Sequence, residues 1–355
     1  MRKNDNGKKS LKIRGVNLGG WLVLERWMTP SLFEGLKAPD ETRFCEELGA
    51  KAEKKLKKHW ESFITEKDVK WIAERGINTV RIPIGHWIFG DVRPYYGGIE
   101  YLDNIIKVLK DRKVNVLLDL HAAPGSQNGL DNGGIEGVCE WHKKKENIEK
   151  TVDFIERISQ RYKDCENIWG VQLLNEPRWD IPMDILHDFY TKAYFRVRKH
   201  MSGDNVAVII HDSFRPLSWG DFMKEPEYSN IVLDTHFYQC FLDEDKKRDV
   251  YGHISYAAIQ RRKDVDKIRY QHETIVGEWS LGLPHQSFEG MNDFSVYSSH
   301  RAYAAAQLAS YERCLGWFFW SYKIEKGLYG WSFTESVNKG WLPSDFRDES
   351  YTDNL

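Results

Sequence analysis

At 355 residues the chain is long for one ordinary domain but suits a single elaborated α/β barrel, and it can bury a core large enough to need no disulfides or structural metals. Its 51 Lys and Arg against 53 Asp and Glu give a formal net charge of −2, which lacks the basic surplus that a nucleic-acid partner demands. No apolar run of about 18 residues predicts a membrane span, MRKNDNGKKS has no apolar centre to act as a secretory signal, and Cys45, Cys139, Cys165, Cys240 and Cys314, odd in number and without a C-x-x-C pair, suit reduced thiols and a cytoplasmic location.

Residues 1–10 are expected to form a flexible tail and residues 11–355 one folded domain, because no linker, fixed-period repeat or shift in composition divides them. In chain order, KIRGVNL (12–18) predicts a strand, EKDVKWIAERG (66–76) a helix with apolar residues at three-to-four spacing, and INTVRIPI (77–84) a second strand. EYLDNIIKVLKDRK (100–113) predicts a helix, VNVLLDLH (114–121) a strand, NIEKTVDFIERISQRY (147–162) a helix, and IWGVQLL (168–174) a fourth strand. VAVIIHD (206–212), IVLDTHF (231–237), TIVGEW (274–279) and LGWFFWS (315–321) predict four more. Continuous apolar strands joined by helical crossovers mean a parallel sheet covered on both faces. Eight such units predict an α/β fold, the closed (β/α)8 TIM barrel with elaborated βα loops.

Every strand but the fifth carries side chains foreign to a core at or near its end: Asn17, Arg81, His121, Asn175 with Glu176, His236 with Tyr238, Glu278 and Trp320. A parallel barrel gathers all C-terminal strand ends on one rim, where barrel enzymes keep their active sites. The fifth strand ends in His211 and Asp212, which suit a hydrogen-bonded pair supporting that rim.

Glu176 and Glu278 hold equivalent places on the fourth and seventh strands. Two carboxylates on one rim suit acid–base work, of which glycoside hydrolysis is the common case. One must be protonated to give a proton to the leaving oxygen and the other ionised to attack the anomeric carbon, so their surroundings must separate their pKa values. Arg81 is expected to keep Glu278 ionised, and that charge to raise Glu176. His121, His211 and His236 are conceivable metal ligands, but there is no H-E-x-x-H, Cys/His cluster or His-x-His, and no metal or other cofactor is expected. GVNLGG is followed by neither a helix start nor Lys-Ser/Thr, so it is no phosphate loop, and no Ser or Cys sits in a nucleophile elbow.

The stretches RGVNLGGWLVLERWMTPSLFE (14–34), GINTVRIPIGHW (76–87), LLDLHAAPGSQNGLDNGG (117–134), LLNEP (173–177), HFYQCF (236–241), GEWS (277–280) and GWFFWSYKIE (316–325) recur in order across nearly the whole chain. On these the chain resembles glycoside hydrolase family 5, in its exo-β-1,3-glucanase-like branch. The resemblance implies a retaining double displacement on terminal β-linked glucose, with an oligosaccharide or β-glucoside as substrate. Glu176 would be the acid/base and Glu278 the nucleophile, with Asn175 on the sugar 2-hydroxyl. Arg81 and Tyr238 would hold the nucleophile, His121 and His236 would line the pocket, and Trp320, followed by a cis peptide to Ser321, would be its floor. Glu25, Asp131 and Asn132 match positions that close the far end of the pocket, and Phe241 one side of an aromatic clamp at its mouth. Two departures stand out: Leu130 occupies the place of the facing aromatic, and Arg178 with Trp179 offers a cationic and aromatic wall just past the acid. They point to an alternative substrate, a β-glucoside with a non-glucan aglycone. A sugar-binding protein without catalysis and a metal-dependent barrel hydrolase are the readings of other classes.

Overall fold

The computed structural model describes residues 12–325 and 327–347; the expected tail, residues 1–10, lies outside them. Eight parallel strands close into a barrel in sequence order: β1 (Ile13–Asn17), β2 (Thr79–Gly85), β3 (Asn115–Ala122), β4 (Ile168–Gln172), β5 (Ala207–His211), β6 (Ile231–Phe237), β7 (Thr274–Trp279) and β8 (Gly316–Phe319). All eight predicted strands are present, each within a residue or two of its expected limits. The predicted helices appear as Glu66–Glu74, Ile99–Asp111 and Lys145–Tyr162. Each buries one apolar stripe; in Ile99–Asp111 this is Leu102, Ile105, Ile106 and Leu109, the three-to-four spacing that a helix laid on a barrel requires.

One crossover departs from the expected eight units. Between β5 and β6 no helix forms among the described residues, and the chain crosses in turns. Pro216, Gly220 and Pro226 interrupt this stretch, and proline inside a helix removes a hydrogen bond and clashes with the preceding turn.

The barrel interior is built in layers. Near the N-terminal ends of the strands, Ile13, Leu117, Ala207, Ile209, Val232, Ile275 and Phe318 form a buried apolar plug. One step toward the C-terminal ends the inward side chains turn polar: Asn17, Arg81, Asp119, Gln172 and Asp234 are all 0 % exposed. A buried polar layer is tolerable only if its members satisfy one another, and here they do so across strands, Asp119 Oδ1 excepted. Register matters at β6 and β7. The pairing slips between Thr235 and His236, so that His236 lies opposite Glu278 and Gly277 is skipped. Gly277 gives its freed N–H to Asp234 Oδ1 at 2.7 Å, and a Cβ there would stand 2.1 Å from that oxygen, so only glycine fits. This bulge is what brings Glu278 beside His236.

The plug generates a stability prediction. Phe318 is fully buried against Gly15 of β1, and Phe318→Ala should cost about 3–5 kcal/mol through lost burial and an unfilled cavity. A lowered denaturant midpoint at unchanged slope checks it; an unchanged midpoint would show that the plug does not close the barrel.

Candidate active site

Arg81 organises the rim. Its Nε donates to Gln172 Oε1 at 2.8 Å, Nη1 to Asn17 Oδ1 at 2.8 Å and Glu278 Oε1 at 2.9 Å, and Nη2 to Asn175 Oδ1 at 2.7 Å, with Asp119 Oδ2 at 3.1 Å. Because Asn175 spends its oxygen on Arg81, its amide nitrogen is turned toward His121 Nε2, 3.5 Å away, while His121 Nδ1 donates to Asp119 at 2.7 Å. Gln127 ties the strand ends further, donating to the carbonyls of His121 and Asn175 at 2.7 and 2.8 Å.

The two carboxylates meet around His236. Nδ1 of His236 lies 2.7 Å from Glu176 Oε1 and 3.5 Å from Glu278 Oε2, and Nε2 lies 3.1 Å from Asp234 Oδ2. Laid end to end, the first two contacts limit those carboxylate oxygens to a separation of about 6 Å. This is short of the 6.5–9.5 Å gap of inverting glycosidases and compatible with the roughly 5–5.5 Å gap of retaining ones. Glu278 also accepts from Tyr238 Oη at 2.8 Å, and Glu176 Oε2 from Asn132 Nδ2 at 3.3 Å.

The charge distribution corrects the sequence expectation. Burial opposes a charge on His236, but Glu278 and Asp234, with the hydrogen bond to Glu176, hold its proton well above the usual imidazole range. Burial pushes Glu176 up, yet the hydrogen bond and charge of His236 more than offset it and bring Glu176 below the ordinary carboxylate value. Glu278 is raised, by burial first and by the charge of Glu176, against the pull of His236 and Arg81. These directions favour His236 over Glu176 as the holder of the shared proton, and Arg81 alone does not set the order of the pair.

Trp320 is 3 % exposed and stacks parallel to His121, with 5.4 Å between ring centroids and 6° between planes; its peptide bond to Ser321 is cis. A Cβ on Gly19 would come within 2.9 Å of the indole, so the glycine makes room for the ring. Glu25 is buried and accepts from Trp27 Nε1 at 2.9 Å; burial, then the charge of Asp131, raises it well above the ordinary range. Asp131 is itself raised by burial. Asn132, in the turn Asp131–Gly133, reaches Glu176, and Asn128 fixes its amide at 2.9 Å.

At the mouth Phe241 is 64 % and Leu130 52 % exposed. Phe241 packs against Tyr238, and Tyr238 stacks on Trp331, which meets Trp27, giving an aromatic wall of which the sequence reading had only Tyr238 and Phe241. Arg178, just past the acid, is paired with Asp180, which holds its guanidinium at 2.5 and 3.0 Å. His211 and Asp212 stand 3.8 Å apart, too far for the expected hydrogen bond; Ser213 N–H donates to His211 Nδ1 at 3.0 Å instead. Glu176, His211 and His236 each bring a ligand atom within 4.8 Å of the others; His236 commits both ring nitrogens to carboxylates and His211 Nδ1 is engaged by Ser213, while the buried His211 Nε2 has no hydrogen-bond partner.

Asp119, Gln172 and Asp234 escaped the sequence reading although a signal existed. Asp-x-His occurs at 119–121 and at 234–236, and in a strand residues two apart share a face, so each carboxylate stands directly beneath its imidazole.

The family model described as "Cellulase (glycosyl hydrolase family 5)" matches residues 45–326. Among curated relatives, "Glucan 1,3-beta-glucosidase 2" of Wickerhamomyces anomalus is 36 % identical over 96 % of this chain and 90 % of its own length. "Probable glucan 1,3-beta-glucosidase A" of Emericella nidulans is 35 % identical over 96 % of this chain and 92 % of its own. Of solved structures, the rutinosidase from Aspergillus niger superposes with a TM-score of 0.80 at 22 % identity, covering 94 % of this chain and 98 % of that one, a likeness of fold.

The geometry around His236 makes a spectroscopic prediction. At pH 7 both its ring nitrogens should carry protons, visible in the nitrogen chemical shifts of histidine-labelled protein. In Glu176→Gln one of the carboxylates that hold this proton is gone, so the titration of His236 should move to lower pH. A neutral tautomer at pH 7 in the wild type would overturn the charge arrangement.

Proposed function

Because the chain belongs to glycosyl hydrolase family 5, we propose that it is a retaining exo-acting β-glycosidase that removes terminal β-linked glucose, chiefly from β-1,3-gluco-oligosaccharides. The observation that carries the chemistry is the close pair of carboxylates bridged by one histidine. The substrate linkage follows from the names of the relatives, which match over nearly their full length.

In this reading Glu278 attacks the anomeric carbon from one face while Glu176 protonates the departing oxygen on the other. Arg81 and Tyr238 each give one hydrogen bond to Glu278 and aim its oxygens. Transfer of the Nδ1 proton of His236 across 2.7 Å to Glu176 turns an ion pair into a neutral acid and a neutral imidazole. It also removes the negative charge that raises Glu278. After the leaving group has gone, Glu176 as carboxylate takes a proton from water, which attacks the glycosyl-enzyme and restores the starting configuration. Asn175, oriented by Arg81, presents its amide to the sugar 2-hydroxyl. Trp320 supports the ring, and Glu25 with Asp131 receives the terminal hydroxyls, so that only a chain end fits.

The two glutamates should fail differently. Glu278→Gln should lose several orders of magnitude in kcat on every substrate, since no covalent intermediate forms. Glu176→Ala should still turn over a glucoside with a good leaving group, and azide should restore its rate with the product in the β-configuration. Azide rescue of Glu278→Ala with retained configuration would reverse the assignment.

Glu25 supplies a second test. Burial and the charge of Asp131 raise it well above the usual carboxylate range, which favours its neutral form; Glu25→Gln keeps the charge of that form, while Glu25→Ala leaves a gap. At pH 6, kcat/KM for laminaribiose should fall by less than about fivefold in the first and by roughly 100-fold in the second, the gap reflecting about 2 kcal/mol of hydrogen bonding. Equal losses would show that its ionised form binds the sugar.

A further inference from the structure

We propose that Trp179 is an outer platform for the leaving group and that the site consequently accepts β-glucosides whose leaving group is an aromatic ring. The proposal rests on the glycosidase reading above. Glu176 hands its proton to the leaving oxygen, so the chain that continues directly from Glu176 is the nearest backbone from which a side chain can reach the departing group. That chain is the segment 177–181.

This segment is pinned at several points. Arg178 N–H donates to the carbonyl of Gln127 at 3.1 Å, and Ser213 Oγ donates to the carbonyls of Pro177 and Arg178 at 2.9 and 3.1 Å. Arg215 Nη2 reaches the carbonyl of Ile181 at 2.9 Å, and Arg178 is clasped by Asp180. Between these ties Trp179 is 65 % exposed and makes no ring contact among the described residues. Three residues of chain keep its Cα within about 11 Å of that of Glu176. A large aromatic held in water on a fixed backbone loses little freedom when a ring settles on it, which is how rigid indoles serve as binding platforms.

The surroundings choose the kind of ring. Leu130, 52 % exposed and two residues from the Asn132 that touches Glu176, is aliphatic, and Phe214, next to Ser213, is 48 % exposed. The charged groups of the segment, Arg178 and Asp180, satisfy each other. A second pyranose would need partners for its hydroxyls at this position, whereas an aromatic ring needs only apolar faces.

The experiment compares kcat/KM for naphthyl β-glucoside, laminaribiose and β-glucosyl fluoride in wild type, Trp179→Phe and Trp179→Ala. Trp179→Ala should lose about five- to tenfold on the naphthyl glucoside, carried by KM, the effect of one ring-stacking contact. Trp179→Phe should keep most of it, and laminaribiose and glucosyl fluoride should be unchanged in both variants. An equal loss on laminaribiose would make Trp179 a sugar platform and overturn the aromatic assignment, and no loss on the naphthyl glucoside would overturn the platform itself. Glucosyl fluoride has no leaving-group ring, so wild-type protein that fails to hydrolyse it would sink the underlying glycosidase reading instead.

Discussion

The site depends on one buried guanidinium. Arg81 is 0 % exposed, and a charge so placed persists only if its donors are met. Four of its N–H groups donate hydrogen bonds, to Asn17, Gln172, Asn175 and Glu278, and Asp119 pairs with it at 3.1 Å, partners drawn from four strands and the segment just past β4. Burial alone would favour losing its proton, but Asp119, Glu278 and Asp234 raise its pKa instead. The planar fork explains why arginine stands here. A lysine ammonium has three donors and no fixed directions, and it would leave two or more of these acceptors stranded in a dry interior. The same contacts that make the charge tolerable also fix the nucleophile and the amide of Asn175, so folding and function draw on one set of bonds.

His236, whose three carboxylate neighbours favour its protonated form, stands to the acid as Arg81 stands to the nucleophile. Asp234 beneath it is held by Gln172 at 2.8 Å and by the skipped Gly277, and Gln172 in turn holds Arg81. Arg81 and His236 are therefore joined through a single amide, so the two groups that touch Glu278 share one hydrogen-bonded frame. Pairs of carboxylates are separated by their environments, and here the environment includes a proton donor whose own charge is adjustable.

The sequence disclosed the barrel because each strand announced itself as an apolar run, and it disclosed most of the rim because parallel topology collects strand ends whatever their spacing. Glu176, Glu278, Arg81 and Trp320 were legible in that way. What stayed hidden depends on facts that a linear pattern does not carry. The slip between Thr235 and His236 decides which residue faces Glu278, and no residue type signals it except the glycine at 277. The contact of Asn132 with the acid was not legible because a tight turn, not a strand, carries it. The order of the carboxylate pKa values was misread because Arg81 was visible as a charge, while the protonation of His236 follows only from three carboxylates that converge in space. The helix-free crossover between β5 and β6 was legible in Pro216 and Pro226.

Glu176 itself has a backbone φ of 42°, in the left-handed region that a glutamate adopts at a cost of about 1–3 kcal/mol. Its neighbours hold it there. Asn175 N–H is fastened to the carbonyl of Leu120 at 2.9 Å, the carbonyl of Asn175 accepts from Gln127, and the carbonyl of Pro177 accepts from Ser213. Relaxing the strain would swing the carboxylate away from His236 and break at least one of these bonds on β3 or the loop after β5. The ties that impose the strain continue without a break into the ties that fix residues 178–181, so the acid and the exposed indole three residues later stand on one rigid support. A change that loosened this support would affect proton delivery and leaving-group contact together, whereas a change at the tip of Trp179 would reach only the second.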